Sequence, residues 1–339
     1  MTRVGINGLG RIGRLLARRI SERVDTREAL TIAAANELAD PQTVAHLLKY
    51  DSTHGRFGLK VDVGQCAIKI DGHSIPLMNY SSSEHDFWHA EDVDLVIDCT
   101  GGELDRAAAS QHLGGSVKRV LLSQPGSSDV DATIIWGLNQ HVLTPSMTVV
   151  SAGSCTSNAL MPILSIMDDA LGINAGIVTT IHSAMNDQPV IDAYHHTDVR
   201  KTRAAFNSVI PVETGLAQGV ERFLPHLGEK IQARALRVPT LNVSSLDVVL
   251  AVDTVTSAAD VNRIIKEASQ SFSGVLSVNE EPLASCDFLG MDASCVVDIT
   301  QTQVSGGQLI KLMLWFDNEW AFTNRMVDIA IAMSKFSDD

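Results

Sequence analysis

The chain has 339 residues, of which 45% are hydrophobic, 19% charged and 5% aromatic, and its 40 acidic against 26 basic side chains give a formal net charge of −14. This length suggests two domains at ~100–200 residues each, and the composition excludes disordered, collagen-like and coiled-coil chains. So acidic a surface argues against nucleic acid or an anionic membrane as partner, and an anionic substrate has to meet a local cluster of cations.

In chain order, Arg3 to Asn7 is a short β-prone stretch that runs straight into GLGRIG. Ile12, Leu15, Leu16 and Ile20 then fall on one face of an amphipathic helix. Leu30–Ala35, Val93–Asp98 and Arg119–Leu122 read as further buried strands. Strands alternating with helices predict a parallel, helix-covered sheet, the α/β dinucleotide-binding class. The pattern changes near Ser151. Asn158–Leu171 reads as a helix ended by Gly172, followed by the longer strands Ile177–Ala184, Ile231–Val238, Val243–Val252 and Gln308–Phe316. Fewer helices separate these strands, so an α+β domain with a mixed or antiparallel sheet is expected. Asn318–Lys335 closes the chain as an apolar-periodic helix.

The five cysteines, Cys66, Cys99, Cys155, Cys286 and Cys295, are odd in number and include no C-x-x-C pair. A disulfide framework or zinc site is therefore not expected, and the chain reads as cytoplasmic, kept in a reducing compartment. No apolar run approaches the ~18 residues of a membrane span. The first motif begins so early that no leader is expected before it.

Gly8, Gly10 and Gly13 fit G-x-G-x-x-G between a strand and a helix. In that setting the first glycine permits a tight turn, the second lets a pyrophosphate approach the backbone, and the third lets helix and strand pack closely. Glu37, after Asn36, stands where an acid would bind a ribose hydroxyl, which favours NAD over NADP. The competing reading is a glycine turn without a ligand.

Ser151–Asn158 reads SAGSCTSN, with Cys155 entering a helical pattern behind small residues. A thiol at a helix N-terminus feels a positive dipole that lowers its pKa, so Cys155 is a candidate nucleophile. Cys66, Cys99, Cys286 and Cys295 lie in apolar or strand-like stretches and read as structural. His182, near the end of a strand in TTIHSAMND, gains weight by pairing with Cys155. Arg200, Lys201 and Arg203 form a basic cluster, and Arg237 lies in LRVPT; each is either a solvated face or part of an anion clamp.

Together these residues resemble the glyceraldehyde-3-phosphate dehydrogenase family. The motifs are GINGLGRIGR at 5–14, HLLKYDSTHGRF at 46–57, SCTSN at 154–158, LRVPTLNVS at 236–244 and WFDNEWAFTNRM at 315–326. The resemblance implies an NAD-binding domain over 1–154 completed by 318–339, a catalytic domain over 155–317, and a homotetramer. Within the family, the erythrose-4-phosphate dehydrogenase branch is more similar. The similarity lies in Asn36–Asp40, Gln124-Pro125-Gly126 with Asp131-Ala132-Thr133, the run at 180–196, and Thr300-Gln301-Thr302 before Val304-Ser305-Gly306. Met185 stands where the glycolytic enzyme usually has Thr, whose hydroxyl helps hold the substrate phosphate. Further departures are Gly153, Ser157, Gly101-Gly102-Glu103, Asn79-Tyr80-Ser81, and Lys201 in place of Arg.

By this resemblance Cys155 and His182 are catalytic, and the reaction passes through a thiohemiacetal and a thioester. Ser154, Thr156, Lys201, Thr214, Gly215 and Arg237 line the anion sites. Gly8, Gly10, Arg11, Ile12, Gly13, Glu37, Ser123 and Asn318 hold NAD, with Arg11 and Ile12 at the pyrophosphate, Ser123 near the nicotinamide end and Asn318 at its carboxamide. The expected reaction is oxidation of erythrose 4-phosphate to 4-phosphoerythronate with hydrolysis of the thioester, in pyridoxal phosphate synthesis. The alternative is the phosphorylating glyceraldehyde-3-phosphate dehydrogenase of glycolysis. A more remote alternative is a non-catalytic binding or regulatory relative.

Overall fold

The computed structural model describes residues 1–81, 86–102, 105–195 and 198–336; Glu103 and His196 lie outside the described residues. It divides into two compact units, Met1–Ser154 with Phe322–Asp339, and Cys155–Ala321. The C-terminal division falls at Phe322, within the helix Trp320–Ser334, and Asn318 lies with the second unit.

The first unit is built on a nine-stranded sheet among the described residues. Its centre is parallel: Arg119–Leu122, Leu95–Asp98, Thr2–Asn7 and Leu30–Asn36 lie side by side in that order. The expected strands appear within a few residues of their predicted bounds. Thr2–Asn7 has four consecutive buried residues, Val4 to Asn7, as a strand covered on both faces should. The sheet is also wider than the sequence pattern indicated. Val149–Ser151 and Ala132–Thr133 extend one side, and His73–Met78, Ala67–Ile70 and Val61–Val63 extend the other, the last two antiparallel. These strands are mostly short, and all but the buried Val149–Ser151 are partly exposed, so they carry little periodic signal.

Helix Arg11–Glu22 buries Leu15, Leu16, Ala17 and Ile20 against this sheet. The C-terminal helix buries Met326, Val327, Ile329, Ala330 and Met333. Arg19 Nε donates to Asn324 Oδ1 at 2.6 Å, and Arg23 pairs with Asp328 at 3.0 Å, which ties the two helices together.

The glycine turn is tight for a visible reason. Gly8 has φ +90°, and a Cβ on Gly13 would stand 1.9 Å from the Gly8 carbonyl oxygen. A Cβ on Gly10 would meet nothing within 4 Å. The space over Gly10 is therefore open, whereas Gly13 is pressed against the strand end.

The second unit carries an eight-stranded mixed sheet among the described residues. Ile210–Val212, Ile231–Arg237, Ile173–His182, Ser244–Val252, Leu309–Phe316, Cys295–Asp298 and Leu276–Asn279 follow in that order, and Gln303–Ser305 pairs with Leu309–Phe316. Ile173–His182 runs parallel to Ile231–Arg237 but antiparallel to Ser244–Val252. Helix Cys155–Leu171 packs across the middle strands, beside Leu216–Phe223 and Ala258–Ser271. Burial alternates along Ser244–Val252 and Leu309–Phe316, the period-two pattern of strands packed on one face.

Gly13→Ala is expected to destabilise the chain by about 1–3 kcal/mol through forced separation of strand and helix. The measurement is urea unfolding, read at the earliest transition; an unchanged midpoint would contradict the close approach.

Candidate active site

Register decides which side chains of the second unit meet. His182 and Arg237 are opposite each other at the last paired position of two parallel strands. Ser244 opens the antiparallel neighbour and pairs with Phe316 at the end of Leu309–Phe316, two residues before Asn318. His182, Arg237, Ser244 and Asn318 therefore gather at one end of the sheet's central strands.

Helix Cys155–Leu171 begins at the thiol itself. Gly153 has φ +68°, and its N–H donates to Ser151 Oγ at 3.0 Å, so the chain turns sharply before the helix starts. Ser154, Cys155 and Thr156 are all partly exposed. As the first helical residue, Cys155 has a backbone N–H outside the helical hydrogen-bond ladder.

Cys155 Sγ lies 3.9 Å from His182 Nε2 and 3.8 Å from Thr156 Oγ1. His182 Nδ1 is 2.8 Å from the Ser183 carbonyl oxygen, which can only accept. Nδ1 therefore carries the proton in the neutral ring, and the Nε2 lone pair faces the sulfur.

The electrostatics revise one expectation. Burial pushes the Cys155 thiol up to about 11, against the opposing bonds from the Thr156 hydroxyl and the nearby amides. Burial also lowers His182, with the Ser183 carbonyl opposing it and the Arg237 charge adding to the decrease. The helix start alone does not lower the thiol pKa as expected from sequence; loss of solvent around this half-buried sulfur costs its charged form more than the dipole offsets. The resting pair is neutral thiol and neutral imidazole, poised for proton transfer.

Of the basic cluster, the structure ties Lys201 to Arg237. Asp187 Oδ1 accepts from Arg237 at 2.6 Å, and its Oδ2 pairs with Lys201 at 3.4 Å. Arg237 is only 8% exposed. Burial disfavours the Asp187 charge, but Arg237 and Lys201 outweigh it and hold the carboxyl below its usual range. Arg203 pairs instead with Asp192 on the surface, and Arg200 is exposed, so both fit the solvated-face reading. Thr214 Oγ1 accepts from the Leu216 N–H at 3.3 Å, and Gly215 caps helix Leu216–Phe223. Met185 is exposed, and its backbone N–H donates to Gln188 Oε1 at 3.0 Å.

In the first unit, the expected cofactor residues surround the glycine turn. Gly10 caps helix Arg11–Glu22 without a side-chain bond, and no acid stands in the first turn. The Arg11 guanidinium pairs with Asp51 at 2.6 Å, and Arg11 and Ile12 stand in the first turn, where backbone N–H groups have no partner within the helix. Glu37 Oε2 accepts from the Leu9 N–H at 2.8 Å, and Oε1 accepts from the Leu38 N–H at 2.7 Å. Ser123 Oγ donates to Gln124 Oε1 at 3.0 Å. The open cradle over Gly10, the uncapped helix and the fixed carboxylate fit a dinucleotide: N–H groups for a pyrophosphate and spare acceptor capacity on Glu37 for a ribose hydroxyl.

Sequence reasoning missed Asp187, Ser183 and Ser244. Nothing local distinguishes them; strand register brings Ser183 and Ser244 beside Asn318, and the loop after Ile173–His182 brings Asp187 to Arg237. It also placed Cys66 and Cys286 in apolar or strand-like stretches, whereas both are exposed, outside any strand. Cys295 is a buried strand residue, as expected, and burial raises its pKa.

Two outcomes are expected. Iodoacetamide alkylation of Cys155 should accelerate with pH well beyond 8.5, the ordinary thiol value, because the thiol titrates high. His182→Asn should slow it at pH 7 by roughly 100-fold and converge with the wild type at high pH; equal rates at pH 7 would exclude His182 as the base. Arg237→Ala should raise KM for a phosphorylated aldehyde roughly 10- to 100-fold and leave an unphosphorylated aldehyde little changed. Equal effects on both would remove Arg237 from phosphate binding.

Comparison with protein-family models gives two matches. Residues 2–106 match the NAD binding domain of glyceraldehyde 3-phosphate dehydrogenase, and residues 154–318 match its C-terminal domain. The first unit is thus an NAD-binding domain, and the second carries the thiol, the imidazole and the paired cations. With both domain models matched in order along one chain, the protein belongs to the glyceraldehyde 3-phosphate dehydrogenase family of NAD-dependent oxidoreductases.

Proposed function

We propose that this chain oxidises the aldehyde group of a small sugar phosphate with NAD, using Cys155 as nucleophile and His182 as its base. The reading rests above all on the 3.9 Å approach of Cys155 Sγ to His182 Nε2, with Nδ1 committed to the Ser183 carbonyl. Gly8, Gly10, Arg11, Ile12, Gly13, Glu37, Ser123 and Asn318 would hold NAD, which when bound supplies the acceptor for the hydride given up by the aldehyde carbon.

The chain's own groups account for the proton and acyl chemistry. The thiol proton moves to His182 Nε2 as sulfur adds to the carbonyl carbon. The Cys155 N–H and the imidazolium stabilise the oxygen as it gains charge, and His182 then protonates it to give the thiohemiacetal. As that carbon is oxidised, His182 Nε2 takes back the hydroxyl proton, leaving a thioester on Cys155. Arg237 and Lys201, with Ser154, Thr156, Thr214 and Gly215, hold the phosphate groups. An anion at Arg237 has to share or displace the Asp187 carboxylate, which ties phosphate binding to movement of that side chain.

On substrate, the two family models carry the name of glyceraldehyde 3-phosphate dehydrogenase, and this supports the triose, with inorganic phosphate cleaving the thioester, over the tetrose. One observation favours the second reading, hydrolytic oxidation of erythrose 4-phosphate to 4-phosphoerythronate for pyridoxal phosphate synthesis. Met185 offers no side-chain donor, and its backbone N–H is taken by Gln188, which favours a phosphate held further off and a longer substrate. The homotetramer and the cytoplasmic location belong to either reading.

Steady-state rates with each aldehyde, with and without phosphate, test the choice. A triose preference with a strict phosphate requirement is expected on the first reading. A tetrose preference with turnover in water would establish the second. NADH production that survives Cys155→Ala would overturn both.

A further inference from the structure

Asn318 lies beyond the strand Leu309–Phe316 and is held by its neighbours. The Asp317 carboxylate, 1% exposed, accepts from the backbone N–H groups of Glu319 at 3.0 Å, Trp320 at 2.8 Å and Gly290 at 2.8 Å, and from the Asn242 amide at 2.7 Å. The backbone at Asn318 is thereby fixed, and what remains to be set is which way round its carboxamide lies. Two buried hydroxyls decide that. Ser244 Oγ donates to Asn318 Oδ1 at 2.7 Å, and Ser183 Oγ donates to the same oxygen at 3.1 Å. Both serines are 0% exposed, and Ser244 Oγ also accepts the Ser183 backbone N–H at 3.1 Å.

The donor count is decisive. With the oxygen toward the serines, both hydroxyl hydrogens have an acceptor. With the amide reversed, Nδ2 would donate to both hydroxyls. One hydroxyl hydrogen would then have only the 3.4 Å Ser244–Ser183 contact, and the other would have none. Burying a hydroxyl donor without a partner is costly, so the carboxamide is locked with its NH2 turned away from the serines.

We propose that Ser183 and Ser244 are positioning residues that lock Asn318 as a hydrogen-bond donor, so that it reads the carbonyl oxygen of the nicotinamide carboxamide and not its amino group. This rests on the reading above that Asn318 faces that end of NAD. Ser183 thereby serves two groups: its carbonyl sets the tautomer of His182, and its hydroxyl sets the orientation of Asn318.

Equilibrium binding to the full chain by calorimetry tests the lock without turnover. The probes are NAD, its 3-acetylpyridine analogue (which keeps the carbonyl oxygen and lacks the amino group), its thionicotinamide analogue (sulfur for that oxygen) and ADP-ribose (no ring). The wild type should bind the acetylpyridine analogue about as tightly as NAD and the thio analogue about tenfold more weakly. The double variant Ser183→Ala/Ser244→Ala should bind NAD about tenfold more weakly, lose the preference over the thio analogue, and bind ADP-ribose as before. Should that variant not fold, Asn318→Asp replaces the donor with an acceptor while keeping an oxygen toward the serines, and it should lose the same preference.

Acetylpyridine binding far weaker than NAD in the wild type would overturn the inference, as would discrimination that survives in the variant. NAD bound no better than ADP-ribose by the wild type would overturn it too, together with the Asn318 assignment. Failure of the wild type to bind NAD at all would remove the proposed function with it.

Discussion

A partly buried sulfur beside a partly buried imidazole is the constraint that organises the second unit. Neither Cys155 nor His182 readily holds charge at rest, since burial raises the thiol to about 11 and lowers the imidazole. In the proposed reaction charge appears when the proton crosses between them, and the Ser183 carbonyl favours that by holding the hydrogen on Nδ1. A neutral pair also has a chemical advantage. On the proposed reading, the nucleophile forms when a carbonyl is present to consume it, and a standing thiolate open to oxidants is avoided.

Electrostatics around the pair are arranged with similar economy. Arg237 is almost fully buried, and a lone guanidinium there would be costly. Asp187 neutralises it and also engages Lys201. The carboxylate belongs to a loop and is itself substantially exposed, so on the proposed reading it yields to a substrate phosphate that makes a stronger, multidentate contact. In a protein of net charge −14, this small cationic centre is what the proposed function assigns to an anionic substrate.

The ends of the sheet's central strands link these groups. His182 and Arg237 are neighbours because two strands are parallel and in register, and Ser244 and Asn318 are neighbours because two others are antiparallel. A slip of one residue in either pairing would turn these side chains to the opposite face. Precision in the site therefore comes from backbone hydrogen bonds well inside the core. The helix that begins at Cys155 is similarly set by packing against the same strands.

The sequence alone determined what depends on neighbours along the chain. The Gly8–Gly13 turn, the helix face of Ile12, Leu15, Leu16 and Ile20, the helix opening near Cys155 and the main strands were legible because glycine geometry and hydrophobic period act within a few residues. Long family motifs added the roles that resemblance implies. Tertiary structure decided the rest. It brought together Cys155 and His182, which are 27 residues apart, Arg237 and Asp187, 50 apart, and Ser183 and Ser244, 61 apart. It also reversed the expected direction of the thiol's pKa and moved Cys66 and Cys286 to exposed positions. Burial and strand register are properties of the assembled sheet, so no local pattern encodes them.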